Sequence, residues 1–322
     1  MSSVHHTGPH VDVSVLVVTY NSAAFIEDCI ASVPAAAGPR STEIVVLDNA
    51  SSDDSAAAAR RRLPTEQVVV ETVNHGFARG VNLAADRAVG RYLLLLNPDA
   101  RLHPGAIDEL VSYADGHPRH GCYGGRVVDP DGRLDPKSCW GLPSAWSMTC
   151  FATGLSSAFR RSPVFDPTSL GRWPRDTHRE VGAVSGCLLL VRRDVWDELG
   201  GFDEHFFVYG EDIDLGWRLN EAGYRPVIVP SAVLTHVVAA SSTSDLAQTR
   251  LLLTARATFL RLRWTGARRR WGLAMLRLGV ALRAVGERIR GRSASGRWTE
   301  LHRERETWSA GFARREPLPT AG

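Results

Sequence analysis

Lysine is almost missing from this 322-residue chain: of its 38 basic residues, only Lys137 is not an arginine. The bias reads as genome composition more than chemistry. No phosphate-binding loop ending in Gly-Lys-Ser or Gly-Lys-Thr is present, and no Gly-x-Gly-x-x-Gly follows an apolar run. Those gaps disfavour a P-loop and a nicotinamide or flavin dinucleotide site. Cysteine is sparse and odd in number: Cys29, Cys122, Cys139, Cys150 and Cys187 lack paired metal-ligand spacing, so reduced thiols are expected. No stretch approaches the ~18 to 20 uninterrupted apolar residues of a transmembrane helix. The first residues, among them His5, His6, His10 and Asp12, form no apolar signal-peptide core, and the expected location is the cytoplasm.

What is present suffices for a large core, with 44% hydrophobic residues and a length suited to one α/β domain with an appendage or two small domains. The formal charge of +3 conceals an asymmetry. Residues 246–322 hold 17 Arg against five Glu, a net of +12, which leaves −9 on residues 1–245. An acidic body carries a basic tail.

Apolar, β-branched runs at 13–19, 43–48, 68–73, 92–96 and 184–191 read as buried strands. Segments between them read as helices: Asn21 and Ser22 cap one that runs to about Val33 and ends near Pro34, and another, Ala-rich, follows Asp48. A short helix over 194–199 stops at Gly200-Gly201, and 227–236 gives a further β element ending at His236. Strands alternating with helices predict a mostly parallel sheet covered on both faces, an α/β fold. Asp48 and Asp99 directly follow strands, where ligands of open α/β sheets bind; one such Asp alone also suits a helix cap.

Residues 122–180 are irregular and rich in Pro and Trp, as functional loops often are. Trp140 and Trp173 could stack on a sugar or pack in the core. Beyond 245, Trp271, Met275, Leu278, Leu282, Val285 and Ile289 recur at spacings of four and three, one apolar stripe among arginines. Such a helix packs on its own domain, docks a partner or lies on an anionic membrane; the acidic body disfavours nucleic acid. The chain is thus expected to divide into a disordered start (1–12), a main domain (13–245), a basic amphipathic extension (246–290) and a flexible basic end (291–322).

The densest chemistry lies at Glu211-Asp-Ile-Asp214, three carboxylates in four residues flanked by Phe206, Phe207 and Trp217. Crowded like charges raise the pKa of one another, as a base, a cation site or a substrate anchor requires. The same residues also suit the start of a solvated helix, complementing its dipole.

Taken in order, Val17-Val-Thr-Tyr-Asn21, Leu47-Asp-Asn-Ala-Ser-Ser-Asp53, Asn74-His-Gly-Phe-Ala-Arg-Gly-Val-Asn82, Asn97-Pro-Asp99, Gly200-Gly-Phe-Asp-Glu204 and Glu211-Asp-Ile-Asp214 resemble family 2 glycosyltransferases of GT-A fold. The likeness covers about Val13 to Ser242. More narrowly it extends to bacterial rhamnosyltransferases that use dTDP-L-rhamnose, including those acting on N-acetylglucosaminyl-diphospho-polyprenol in cell-wall synthesis. The resemblance implies an inverting transferase. Thr19, Asn21, Asp48, Arg79, Asn82 and Asn97 would lie about the nucleotide-sugar, with Asp48 accepting the pyrimidine N3–H that thymine and uracil share. Asp99 and His236 would hold Mg²⁺ or Mn²⁺, Asn97 standing where the family has the first carboxylate of Asp-x-Asp. Asp212 would be the catalytic base, Glu211 would position acceptor or base, and Asp214 would orient neighbours or simply start a helix. A polyprenyl-diphosphate-linked glycan is the implied acceptor and the inner face of the cell membrane the implied workplace. A processive synthase is disfavoured, since no Gln-x-x-Arg-Trp occurs. A noncatalytic nucleotide-sugar-binding scaffold is disfavoured by the intact set of Asp48, Asp99 and Asp212.

Overall fold

In a computed structural model, which describes residues 11–237, 245–291 and 296–313, the first apolar run forms β1 (Val13–Thr19), buried along its whole length. Next come α1 (Ile26–Ala37), β2 (Thr42–Asp48), α2 (Ser55–Arg60), β3 (Val68–Val70), α3 (Phe77–Ala85), β4 (Tyr92–Leu96), β5 (Ala100–Leu102) and α4 (Ala106–Gly116). The middle of the chain contributes β6 (Cys122–Val128), β7 (Cys139–Trp140), α5 (Ala145–Thr153), α6 (Leu155–Ala158), β8 (Arg179–Glu180), β9 (Ala183–Val184), β10 (Leu188–Arg192) and α7 (Arg193–Leu199). The last elements are α8 (Glu211–Glu221), β11 (Val227–His236), α9 (Asp245–Arg263), α10 (Gly266–Ile289), α11 (Arg297–Arg303) and α12 (Arg305–Ser309).

The main sheet has the order β3-β2-β1-β4-β10-β6-β11-β5, with β8 also on β11. Its first four strands run parallel, and β10 enters antiparallel between β4 and β6, so the sheet is mixed beyond β4. Side chains alternate across it as a strand's period of two requires. Leu16, Val18, Leu93, Leu95, Leu189 and Val191 face one core, and Val15, Val17, Leu94, Leu96, Leu188 and Leu190 face the other. Burial on both faces explains why these strands read as continuous apolar runs.

Several local readings shift. Phe25 rather than Asn21 or Ser22 occupies the α1 N-cap, and Pro34 sits inside the helix instead of ending it. Proline costs α1 one backbone bond but leaves its path open for a final turn. The third strand ends at Val70, and the run at 184–191 divides into β9 and β10. β11 carries an irregularity between Val229 and Val233, around Pro230, whose ring removes a ladder donor.

The basic segment folds back onto the sheet. Phe259, Leu260 and Trp264 of α9 and its end, Leu276 and Val280 of α10, Leu301 and Trp308 join the same core as Leu16 and Leu93. The expected stripe on α10 lies on the other side. Met275 packs against the core, whereas Trp271, Leu278, Leu282, Val285 and Ile289 are exposed, Ile289 at 81%. Gly272 and Gly279 make the packed face possible, since a Cβ would come within 2.7 Å of the Trp264 and Phe151 rings respectively. No helix among the described residues is long and apolar enough to cross a membrane. The expected disordered start falls largely outside the described residues, as do parts of the expected flexible end.

Candidate active site

Parallel register aligns the carboxyl ends of β1 and β2, placing Thr19 opposite Asp48. Asp48 is almost wholly buried; its Oδ1 accepts the Ser51 N–H at 3.0 Å, while its Oδ2 has no partner. The buried hydroxyl of Thr19 and the Nε of Arg79 are likewise unpartnered. Buried polar atoms are nearly always satisfied, so two orphans at the ends of β1 and β2 and a third on α3 fit a ligand that brings donors and acceptors. Arg79 also reaches Glu204 at 3.2 Å.

Two sequence candidates are engaged with the protein itself. Asn21, at φ +52, accepts the Ser52 N–H at 2.8 Å and donates its own N–H to Ser51, pinning the loop after β2. Asn82 donates to the Phe202 carbonyl at 2.9 Å and to Glu204 at 3.1 Å, and accepts the Phe202 N–H at 2.9 Å. Its amide therefore staples the loop before α8.

Next along the edge, β4 ends at Leu96 and the chain passes through Asn97 to Asp99. His236, ending β11, brings Nε2 to 3.2 Å from Asp99 Oδ1 and 3.5 Å from the Asn97 amide. The antiparallel pairing of β11 with β5 sets this contact, since His236 is in register with Ala100. On the far side of the ring, Nδ1 lies 3.9 Å from Asp135 Oδ2. Burial works against a charged imidazole, but the Asp135 and Asp99 carboxylates outweigh it and push His236 up to about 9. A histidine with one nitrogen toward a carboxylate and the other toward an oxygen donor is the usual arrangement around a bound cation. Asp135 escaped the sequence reading; the only hint was the acidic, turn-forming loop that begins at Asp129. No group of three His, Cys, Asp or Glu capable of holding a metal alone occurs among the described residues.

The acidic cluster opens α8. Gly210, at φ +88, precedes it, and Tyr209 shares the left-handed region at φ +66. Strain at a non-glycine residue here is of the kind that functional sites retain. Gly76 is equally required: a Cβ would lie 2.3 Å from the Phe207 carbonyl, which accepts the Phe77 N–H at 2.6 Å. Because Gly76 O also accepts from the Asn49 amide at 3.0 Å, this contact ties the β2 edge to the α8 approach.

The three carboxylates diverge. Asp214, fully buried, receives Arg218 at 2.9 Å and Arg263 at 2.5 Å, with Arg263 also bridging to Asp203 at 2.7 Å. It clamps α8 to α9. Asp212 and Glu211 instead line a cavity of about 430 Å³ together with Asn97, Trp140 and Arg256. That size suits a ligand pocket, and its lining is mainly apolar. The helix N-terminus favours ionised carboxylates, yet burial dominates and raises both groups. The Asp212 carboxylate beside it also raises Glu211, whose Oε2 is buried without a partner.

The Cys187 thiol, just before β10, feels the acids of the site. Burial pushes the Cys187 thiol up to about 12, and the carboxylates of Asp135, Asp212 and Asp99 push it the same way. Asn97, whose N–H donates to the Cys187 carbonyl at 3.4 Å, lines the cavity with Cys187 and Asp212, while Asp99 and Asp48 are outside its lining. Trp140 is in the cavity. Trp173 is not: it donates to Thr177 at 3.0 Å, has the Arg175 and Arg179 guanidiniums 5.0 Å from its ring, and lines a separate surface pocket.

Known proteins resemble this chain in sequence and fold. The chain is 33% identical over 255 residues to the N-acetylglucosaminyl-diphospho-decaprenol L-rhamnosyltransferase of Mycobacterium tuberculosis, covering 72% of this chain and 78% of the relative. Among solved structures it matches the mannosyltransferase PcManGT of Pyrobaculum calidifontis, in complex with GDP-Man and Mn²⁺, at a TM-score of 0.55 and 20% identity, covering 94% of this chain and 84% of that one. It matches GalNAc-T7, with UDP, GalNAc and Mn²⁺, at a TM-score of 0.55 and 15% identity, covering 93% of this chain and 55% of that one. These structural likenesses establish the GT-A fold, and the model of glycosyl transferase family 2 matches residues 14–194, more than half of the sequence, so the chain belongs to that family.

Proposed function

We propose that the protein transfers L-rhamnose, with inversion, from dTDP-L-rhamnose to a hydroxyl of N-acetylglucosamine carried on a polyprenyl diphosphate. The observation that carries this reading is the facing of Asp212, raised by burial, into a mainly apolar cavity that also reaches Asn97. The mycobacterial relative supports the choice of sugar and acceptor.

Thymine fits the unpartnered Oδ2 of Asp48 through its N3–H, with Thr19 and Arg79 offering a hydroxyl and an Nε–H beside it. Asp99 and His236 would hold Mg²⁺ or Mn²⁺ against the donor diphosphate, with Asp135 fixing the imidazole; bound there, the ion neutralises charge on the departing diphosphate. One carboxylate and one imidazole make a weak site alone, so the donor's own oxygens would be needed to complete it. Asp212 accepts the proton of the attacking hydroxyl, a role usually worth ~10²–10⁴ in rate. Glu211, raised by burial and by Asp212 beside it, can when protonated donate a hydrogen bond that orients acceptor or base.

The exposed face of α10 supports a seat at an anionic membrane. Five apolar side chains stand on it, Trp271 through Ile289, and Arg269, Arg270, Arg288 and Arg290 beside them are exposed. Each basic residue near such a surface contributes roughly 1 kcal/mol. Work at the inner leaflet of the cell membrane is the corresponding location.

A donor panel of dTDP-rhamnose, UDP-glucose, UDP-galactose and GDP-mannose, tested on N-acetylglucosaminyl-diphospho-polyprenol with and without Mn²⁺, decides the reaction. Rhamnose transfer is expected to dominate and to need the metal. Preference for a UDP-hexose would overturn the donor, an outcome Asp48 cannot prevent because uracil carries the same N3–H.

A further inference from the structure

Two guanidiniums from different helices meet on one aromatic ring. The Cζ of Arg283, on α10, lies 4.3 Å from the centroid of Phe151, and the Cζ of Arg256, on α9, lies 5.1 Å from it. Arg283 is held in place: its Nη1 donates to the carbonyls of Phe151 and Gly279, each at 2.9 Å, and its Nη2 reaches Ser157 Oγ at 3.4 Å. Arg256 makes no hydrogen bond and no ion pair among the described residues; its one acidic influence, Asp166, acts from a distance.

Arg256 and Phe151 line the same cavity as Asp212 and Glu211. The side chain is open to solvent there while protein surrounds it, and desolvation pulls the guanidinium below its ordinary value. Arg256 in turn pulls Arg283 down, after burial has done so. Arg256 thus offers the cavity a cation with no protein counter-ion in contact among the described residues, with Arg283 behind the Phe151 ring and Asp166 elsewhere in the lining. Arginine's planar fork matches phosphate oxygens and binds them bidentately.

We propose that Arg256, backed by Arg283 across Phe151, binds the diphosphate of a prenyl-diphosphate-linked acceptor. The assignment rests on the acceptor class given above and adds the residue that recognises it. In such an acceptor the diphosphate follows directly on the sugar, so a hydroxyl at Asp212 carries the phosphates away along the cavity wall. The enzyme then handles two diphosphates by different chemistry. The donor's would be met by a divalent ion on Asp99 and His236 and would leave; the acceptor's is met by arginine and stays.

Farnesyl diphosphate is the probe, titrated calorimetrically into the full chain already saturated with dTDP and Mn²⁺ so that the donor site is filled. Wild type is expected to bind it, Arg256→Gln to bind about tenfold or more weakly, the scale of one charge-assisted hydrogen bond, and Arg256→Lys to fall between. dTDP affinity and thermal melting stay unchanged in both variants. Should Arg256→Gln fail to fold, Arg256→Lys, which keeps a cation over Phe151, carries the comparison. Equal affinity in wild type and variant, or no binding to wild type, overturns the assignment. In turnover, Arg256→Gln raises KM for the diphosphate-linked acceptor and leaves kcat in place, and it does not alter KM for the same sugar on a neutral alkyl chain; equal losses on both acceptors overturn it too. If Arg256-dependent farnesyl diphosphate binding is found while no rhamnose is transferred, the reading of the reaction falls and the site stands.

Discussion

Asp212 and Asp214 stand two positions apart on the first turn of α8 and meet opposite fates. Asp214 is neutralised by Arg218 and Arg263 with no exposure, while Asp212 turns into the cavity with only backbone donors about it. One-hundred-degree steps along a helix explain the split: residues i and i+2 do not share a face.

That split separates two variants. Asp212→Asn is expected to lower transfer by ~10²–10⁴ and to leave dTDP affinity and unfolding midpoint unchanged. Asp214→Ala is expected to cost about 3 kcal/mol, because two partly buried arginines lose their counter-charge. Initial rates, calorimetry and urea unfolding on both proteins test the pair; near-normal turnover in Asp212→Asn removes it from the chemistry.

The pH dependence follows from the same burial. A base must be ionised, so the rate falls as pH drops through its pKa, and burial has raised that of Asp212. The acid limb of kcat is therefore expected above the ordinary carboxylate value of about 4. Glu211, raised by burial beside it, titrates with Asp212, so the limb belongs to the pair. A limb at the ordinary value contradicts control by desolvation.

At the nucleotide edge, Asp48→Asn offers one oxygen where two are needed. That oxygen can serve the Ser51 N–H or the base, not both. Affinity for dTDP and UDP is expected to fall alike, by about tenfold. Calorimetry showing loss for only one nucleotide would mean that Asp48 reads something other than N3–H.

Metal affinity should depend on a carboxylate that never touches the ion. Asp135→Asn is expected to weaken Mn²⁺ binding to the dTDP complex by about tenfold, because the imidazole of His236 loses its orienting partner. Asp99→Ala is expected to remove metal-supported dTDP binding, with chelation of wild type giving the same result. Mn²⁺ titration followed by electron paramagnetic resonance reads both.

Membrane seating is tested on the face of α10 that no other element covers among the described residues. Leu282→Glu with Val285→Glu, both on the exposed stripe, is expected to abolish flotation with anionic vesicles and to spare turnover of a short, water-soluble acceptor. Wild-type protein that fails to float at modest salt sinks the idea outright.

Much of this was legible locally. β1 and β4 have the expected ends, Val13 to Thr19 and Tyr92 to Leu96, because a strand buried on both faces leaves an unbroken apolar run. Positions after strands pointed to Asp48 and Asp99, and crowding pointed to the α8 cluster. Asn21 and Asn82 could not be sorted this way. An amide that binds a nucleotide and one that staples a loop look the same until their partners are placed.

The chain's own order of residues thus determined which segments are strands, which end of the sheet carries the acids and how the charge divides between body and tail. Spatial neighbours decided the rest. Only the antiparallel return of β11 along β5 brings His236 to Asp99, and only the packing of α9 on α8 neutralises Asp214 and leaves Asp212 facing the cavity. The physical reason is range: apolar period and turn chemistry act over a few residues, whereas desolvation and charge pairing depend on whatever the fold brings within a few ångströms.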